Sequence, residues 1–450
     1  MRRGRSPGYG RATDGHAGRR ARTALGAAAA ALLWTSCTLG AEEVPRGAAT
    51  SPPAAGTVTP APAPGPPASA SELPGRLLVQ LADGDLVTVR PDGSDVQALV
   101  EDAGTDLRVL QAAWAPDGSR VAWSQIDTLD GAATGRIVTA DPDGGGRRET
   151  ALDVAPFYLS WDPTSRRVGY LGADGSDRFQ MGVVDDAGGR LLARGSPFYF
   201  AWSPSGDRVL AHIGAERLEE LDLAGDRDRL PSREGVYQAP LWSEDGSTQV
   251  YVERRGGGER QRIVARDTRT GDVRTLATAD GAVSLVMSPD GASVAFQALN
   301  DDERDLYDRT LPMRATDVGV TVVDVATGRA DHVTIRPAVA FFWSPDGERL
   351  LILQPEYPPA GPLSFRWVVS DGEDAFETDA FTPGISLLAE YAPFFSQYAQ
   401  SLTMWAPDGS AFAYPADRPP NPTQIWIQPV DGSSAYALGA GSFVAWAPGR

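Results

Sequence analysis

Four short apolar runs of this chain carry aromatic or amide side chains of a kind that recognises ligands: Phe157-Tyr158, Phe198-Tyr199, Tyr237-Gln238 and Gln397-Tyr398. Tyr supplies rigid amphipathic contact area with a polar tip, suited to sugars and peptide backbones. Tyr158, Tyr199, Tyr237, Gln238, Gln397 and Tyr398 are therefore the candidate ligand-binding residues. The competing role for such aromatics is packing between structural units, as expected of Trp161 and Trp202. Catalytic signals are fewer. The only Gly-x-Ser-x-Gly match, Gly4-Arg5-Ser6-Pro7-Gly8, lies in a basic arm with no strand before it, whereas a nucleophile elbow needs one. The densest acidic run, Asp301 to Asp308, lacks the Asp-x-Asp-x-Asp-Gly spacing of a Ca²⁺ loop and reads as a solvated loop. Three His (His16, His212 and His332) and a single Cys leave little room for a metal centre, a triad or a disulfide framework. No catalytic residue is assigned, and no metal or cofactor is expected.

The lone Cys37 belongs to an address. Residues 1–22 hold seven Arg against Asp14, and an apolar run from Thr23 to Trp34 follows. A positive arm, a short apolar stretch and small residues make a secretory signal, too short to span a bilayer. Leu33-Trp34-Thr35-Ser36-Cys37 resembles a bacterial lipobox, with Trp34 where Leu is usual. That resemblance implies a lipid on Cys37, a signal over 1–36, and anchoring to the outer face of the cytoplasmic membrane. Residues 37–74 are mostly Pro, Ala, Gly, Ser and Thr, a composition that reads as a disordered tether. The whole chain carries 41 basic residues, all Arg, against 59 acidic ones, a net of -18. Without 1–36 these become 34 and 58, a net of -24. Phosphate binding needs clustered positive charge, so a nucleic-acid partner is excluded.

From residue 75 onward one element recurs eight times: an apolar strand ending in Trp, a Pro-Asp-Gly type turn, and a second apolar strand. The copies are anchored by Trp114, Trp161, Trp202, Trp242, Met287, Trp343, Trp405 and Trp446, spaced 47, 41, 40, 45, 56, 62 and 41 residues apart. A second strand–Gly turn–strand element interleaves with it, as in RIVTADPDGGGRRETAL (136–152) and VTVVDVATGRADHVTI (320–335). Four short strands per unit at this period are the signature of β-propeller blades. The phase gives the closure. Three strands near residue 76 and one ending at Trp446 complete a shared blade, so the expectation is an all-β ring of eight blades over 75–450, with seven as the alternative.

The core Trp343-Ser344-Pro345-Asp346-Gly347 resembles the WD-like repeat of TolB-type propellers, and the resemblance covers about 75–450. It implies the fold more than the activity, because this repeat occurs in scaffolds, in lyases and as a gating domain of peptidases. The loops 124–135, 300–317 and 355–363, and the stretch 382–400, lengthen connections of one face, where insertions mark a binding surface. Within that stretch Tyr391 to Tyr398 holds four aromatics, and no charge lies between Tyr391 and Trp405. It forms either part of the binding face or a plug over the funnel. The leading expectation is a monomeric, membrane-tethered binding or scaffold module for a protein, peptide or glycan, rather than an enzyme. The alternative is a carbohydrate lyase or hydrolase using carboxylates or Tyr on the funnel face, which would need paired carboxylates.

Overall fold

The computed structural model describes residues 63–449, save 105, 129–133, 174–177, 215–216, 232–234, 255–259, 300–318, 337, 357–362 and 419–420. Cys37, the signal, most of the tether, the acidic run at 301–308 and parts of the long loops lie outside the described residues. Among the described residues the strands form six antiparallel four-stranded sheets and one seven-stranded sheet. The last is two blades in one. The strand Tyr436–Trp446 pairs through 436–440 with Asn421–Pro429 and through 441–446 with Leu77–Leu81. It is therefore the outermost strand of blade 8 and the innermost strand of blade 1. Eight blades result, closed by three N-terminal strands and one C-terminal strand as the repeat phase requires.

The sequence dictates each blade locally. In the fifth, Ser243 Oγ donates to Asp245 Oδ1 at 2.6 Å and accepts the Thr248 N–H at 2.9 Å. Asp245 Oδ1 also accepts the Ser247 N–H at 2.9 Å, and Gly246 takes the left-handed conformation that closes the turn (φ 70°). Ser243 foremost, then Ser247, holds the Asp245 carboxyl below its usual range. The second strands of the blades are buried nearly throughout because a blade packs both faces against its neighbours; Val121–Asp127 is buried at six of seven positions, its polar Ser124, Gln125 and Asp127 included. Outermost strands meet solvent, and Arg227–Arg229 is exposed along its length.

The recurring Trp has a specific task. The innermost strand of each blade is an edge with unpaired backbone groups facing the central channel. Trp114, Trp161, Trp202 and Trp343 donate their indole N–H to Ala445, Ala113, Ser160 and Val286 carbonyls, each on the innermost strand of the preceding blade, at 3.1–3.3 Å. The repeat is thus a blade-to-blade staple. Trp446 donates instead to Pro74 O at 2.8 Å.

That contact revises one boundary. Residues 64–74, which composition assigns to the tether, lie on the ring: Ala437 N–H donates to Pro64 O, and a 3-10 helix at Ala68–Glu72 buries Ala70. Pro and Ala find partners here because the seam between blades 8 and 1 offers an apolar surface that includes Leu438.

Candidate functional site

The stretch 384–402 does not simply precede the first strand of blade 8; it interrupts that strand. Thr382–Pro383 pairs with Ala416 and Asp417, the chain leaves the sheet, and Trp405 rejoins it opposite Phe412. Between the two, a π-helical turn (Leu387–Tyr391), a 3-10 turn (Ala392–Phe394) and one α-helical turn (Phe395–Tyr398) form a plug. Pro393 inside the run and the charge-free sequence around it favour short apolar turns that seat in the channel. Phe395, Ser396, Gln397 and Tyr398 are all buried.

Gln397 is the plug's principal anchor. Its Oε1 accepts the Phe200 N–H at 2.8 Å and its Nε2 donates to Phe200 O at 2.9 Å. Nε2 also donates to Tyr158 Oη at 2.8 Å, while that hydroxyl donates to the Gln397 carbonyl at 2.9 Å. The side-chain amide is thus a peptide group for the free edge of blade 4. Blade 2 shows why this is needed. There Gln111, three residues before Trp114, accepts the Leu159 N–H at 2.6 Å and donates to Leu159 O at 3.3 Å, covering the edge of blade 3. In blade 3 the matching position is Tyr158, which has no amide. Gln397 supplies it from the plug.

Further contacts seat the plug on other innermost strands. Tyr398 Oη donates to Phe157 O at 3.4 Å, and its ring stands edge-on to Tyr158, 5.2 Å between centroids. Gln238 Nε2 donates to Pro393 O at 2.6 Å, and Gln400 Nε2 to Pro240 O at 3.4 Å. Phe395 packs edge-on against Phe341 at 4.7 Å, and Tyr391 stacks on Phe443 at 5.9 Å. Blades 1, 3, 4, 5 and 7 thereby hold the plug. Burial raises the Tyr158, Tyr391 and Tyr398 hydroxyls above the usual tyrosine range, and it raises the Glu390 carboxyl against the opposing charge of Arg108.

Four of the six candidate ligand-binding residues, Tyr158, Gln238, Gln397 and Tyr398, therefore meet at the plug contact rather than on an exposed rim, while Tyr199 and Tyr237 pack on His212. Tyr158, Gln397, Tyr398 and Tyr237 are buried, at 1%, 3%, 8% and 5% exposure, and Tyr199 and Gln238 are half-buried. For Tyr158 and Tyr398 the expected wet rim is absent because the plug contact takes up their hydroxyls. Tyr237 stacks flat on His212 with 4.4 Å between centroids, and Tyr199 lies tilted on the other side at 6.1 Å. His212 Nδ1 is 3.1 Å from Gln238 O, and burial lowers its pKa to about 4, so the imidazole is neutral at physiological pH. Sequence reasoning missed His212 and Gln111, and carried Phe395 only as one of the four aromatics from Tyr391 to Tyr398. Only Gln111 left a signal, its fixed offset from Trp114.

Among the described residues no group of three or more His, Cys, Asp or Glu is placed to hold a metal ion. Among the described residues no helix is long and apolar enough to cross a membrane. No family model matches the chain, and no curated protein does either. Solved structures do. A eukaryotic initiation factor shares 12% identity over 84% of this chain and 99% of its own, with a TM-score of 0.50. The oligogalacturonate lyase of Vibrio parahaemolyticus shares 13% over 74% and 86%, TM-score 0.44. TolB from Acinetobacter baumannii shares 16% over 73% and 83%, TM-score 0.36. What is shared is the fold. A shared fold leaves the function to be argued from this chain's own residues.

Proposed function

We propose that this propeller binds a protein, peptide or glycan rather than converting a substrate, and that it is exported and held at the outer face of the cytoplasmic membrane by a lipid on Cys37. The observation that carries the reading is the plug. It fills the channel mouth on the insertion face and consumes the amides and hydroxyls that would otherwise line a funnel. A ligand then meets the outer surface of the plugged face. Val236 and Ile335, 40% and 75% exposed, lie in the connections between blades 4 and 5 and between blades 6 and 7, and Ile385, 84% exposed, opens the insertion within the first strand of blade 8, all at that end of the ring. Isolated apolar residues are ordinary on a surface, but three at one end supply a place for contact. The chain enters the ring at the opposite, turn-bearing end, where Pro64 meets Ala437 and Pro74 meets Trp446.

A glycan and peptide binding screen on the mature chain, repeated with Ile335→Asp and Ile385→Asp together, tests the reading. Ligands lost in the double variant support it. Binding untouched by both changes, or turnover of a screened glycan, overturns it.

A further inference from the structure

A second feature lies where the chain enters the ring. Blades 2 to 8 are each built from one continuous stretch, whereas blade 1 takes strands from both ends of the chain. Its closure rests on one antiparallel ladder, from Leu77 opposite Trp446 to Leu81 opposite Gly441. A pull on the N-terminal side would reach that ladder at Leu77 and open it one pair at a time.

Residues 63–74 stand between such a pull and the ladder. Pro64 O accepts the Ala437 N–H at 2.8 Å on the outermost strand of blade 8. Pro74 O accepts the Trp446 indole N–H at 2.8 Å on the innermost strand of blade 1. Between them Pro67 O accepts the Ala70 N–H at 3.0 Å, and Ala70, 1% exposed, belongs to the same apolar cluster as Val89, Ile427 and Tyr436. The segment thus crosses the seam between blades 8 and 1 as a strap. Its grip is light. Among the described residues two hydrogen bonds to the ring and the side chains of Ala70 and Leu73 fasten it, and its single charge, Glu72, is exposed. A segment with so few buried contacts opens at the low end of local stability, while the strands behind it keep the global value. The strap ends on a firmer residue. Arg76 donates through Nε and Nη2 to Thr88 Oγ1 at 3.2 and 3.1 Å, and it pairs with Asp95 at 2.5 Å. Its carbonyl accepts the Ala447 N–H at 2.8 Å.

We propose that residues 63–74 are a releasable strap, which peels under pull on the N-terminal tether and shields the closing ladder until Arg76 takes the load. Peeled out, the segment from 63 to 74 adds at most about 40 Å of chain, at about 3.5 Å per residue. The proposal rests on the anchoring half of the reading above for the source of the pull. Its test needs no lipid, so either can fail alone.

Force spectroscopy on the mature chain without lipid, held at Cys37 and at a C-terminal handle, is that test. It should show a reversible step of about 20–40 Å of added contour before the ring opens. Moving the handle to Glu72→Cys, an exposed position, in a Cys37→Ser background should remove the step and leave the opening force of the ring unchanged. Arg76→Ala should keep the step and lower the force of the second transition. Ala70→Asp should lose the step and speed exchange of the Ala437 amide at least tenfold, with Val121–Asp127 still protected. The proposal is overturned by a first transition that opens the ring directly, by an equal step from Glu72→Cys, by an unchanged second force in Arg76→Ala, or by an Ala437 amide no faster in Ala70→Asp.

Discussion

Replacing Gln397 should unseat the plug without unfolding the ring. The side-chain amide satisfies the Phe200 N–H and C=O and donates to Tyr158 Oη, all in a dry interior. Gln397→Met keeps the volume and deletes those three bonds. Tyr158 still donates to the 397 carbonyl, so two backbone groups of Phe200 are left without partners. At about 1–3 kcal/mol for each stranded buried group, the closed plug should lose about 3 kcal/mol. That corresponds to roughly a hundredfold rise in local opening. Hydrogen exchange read by mass spectrometry reports it directly: peptides covering 384–402 and 198–202 should exchange about a hundredfold faster. Peptides from the second strands, such as Val121–Asp127, should keep their protection. Exchange at 384–402 within about threefold of the wild type would refute the reasoning, because Gln397 would then not be what covers the edge of blade 4.

Other consequences follow from single groups. Trp202→Phe removes the indole N–H that reaches Ser160 O and should cost about 1 kcal/mol in urea unfolding beyond the loss for Trp242→Phe, whose Nε1 has no hydrogen-bond partner among the described residues. His212 has a folded pKa of about 4, below its unfolded value of 6.5, so the folded chain binds fewer protons between these limits. Stability should therefore fall by about 3 kcal/mol as pH drops from 6.5 to 4, a slope that His212→Phe should abolish in urea titrations at each pH. Ser243 and its neighbours hold the Asp245 carboxyl below the usual range, so the turn's contribution is present above the unfolded pKa of 3.8 and lost as pH falls further. Asp245→Asn should flatten that acid limb of the stability profile. Cys37→Ala should move the chain from the membrane to the soluble fraction; persistent membrane association would reject the lipid anchor.

The ring was legible because its signals are local and repeated. Trp, Pro-Asp-Gly and a second apolar strand recur with a mechanical reason at each residue, and the phase of the copies pointed to eight blades and their closure, with seven left as the alternative until the strand pairing showed eight. The candidate site was legible only as a set of residues. Tyr158, Gln238, Gln397 and Tyr398 do meet, and Tyr199 and Tyr237 pack beside them on His212, yet the exposure of the first four depends on where the 384–402 stretch goes, a contact spanning 239 residues between Tyr158 and Gln397. No local pattern encodes that distance. Composition left a binding face and a plug open, and what separates them is that Tyr158 sits where blade 2 has Gln111. The end of the tether misled for a related reason, since Pro and Ala look disordered until a seam is present to receive them.

The most direct test of the closed channel is a labelling rate. Ser396 is 1% exposed in the plug, and Ser396→Cys is a near-isosteric probe there. In a Cys37→Ser background its reaction with a maleimide should be at least a hundredfold slower than that of Ser434→Cys, an exposed control. Equal rates at the two positions would contradict a seated plug and return the tyrosines to an open funnel.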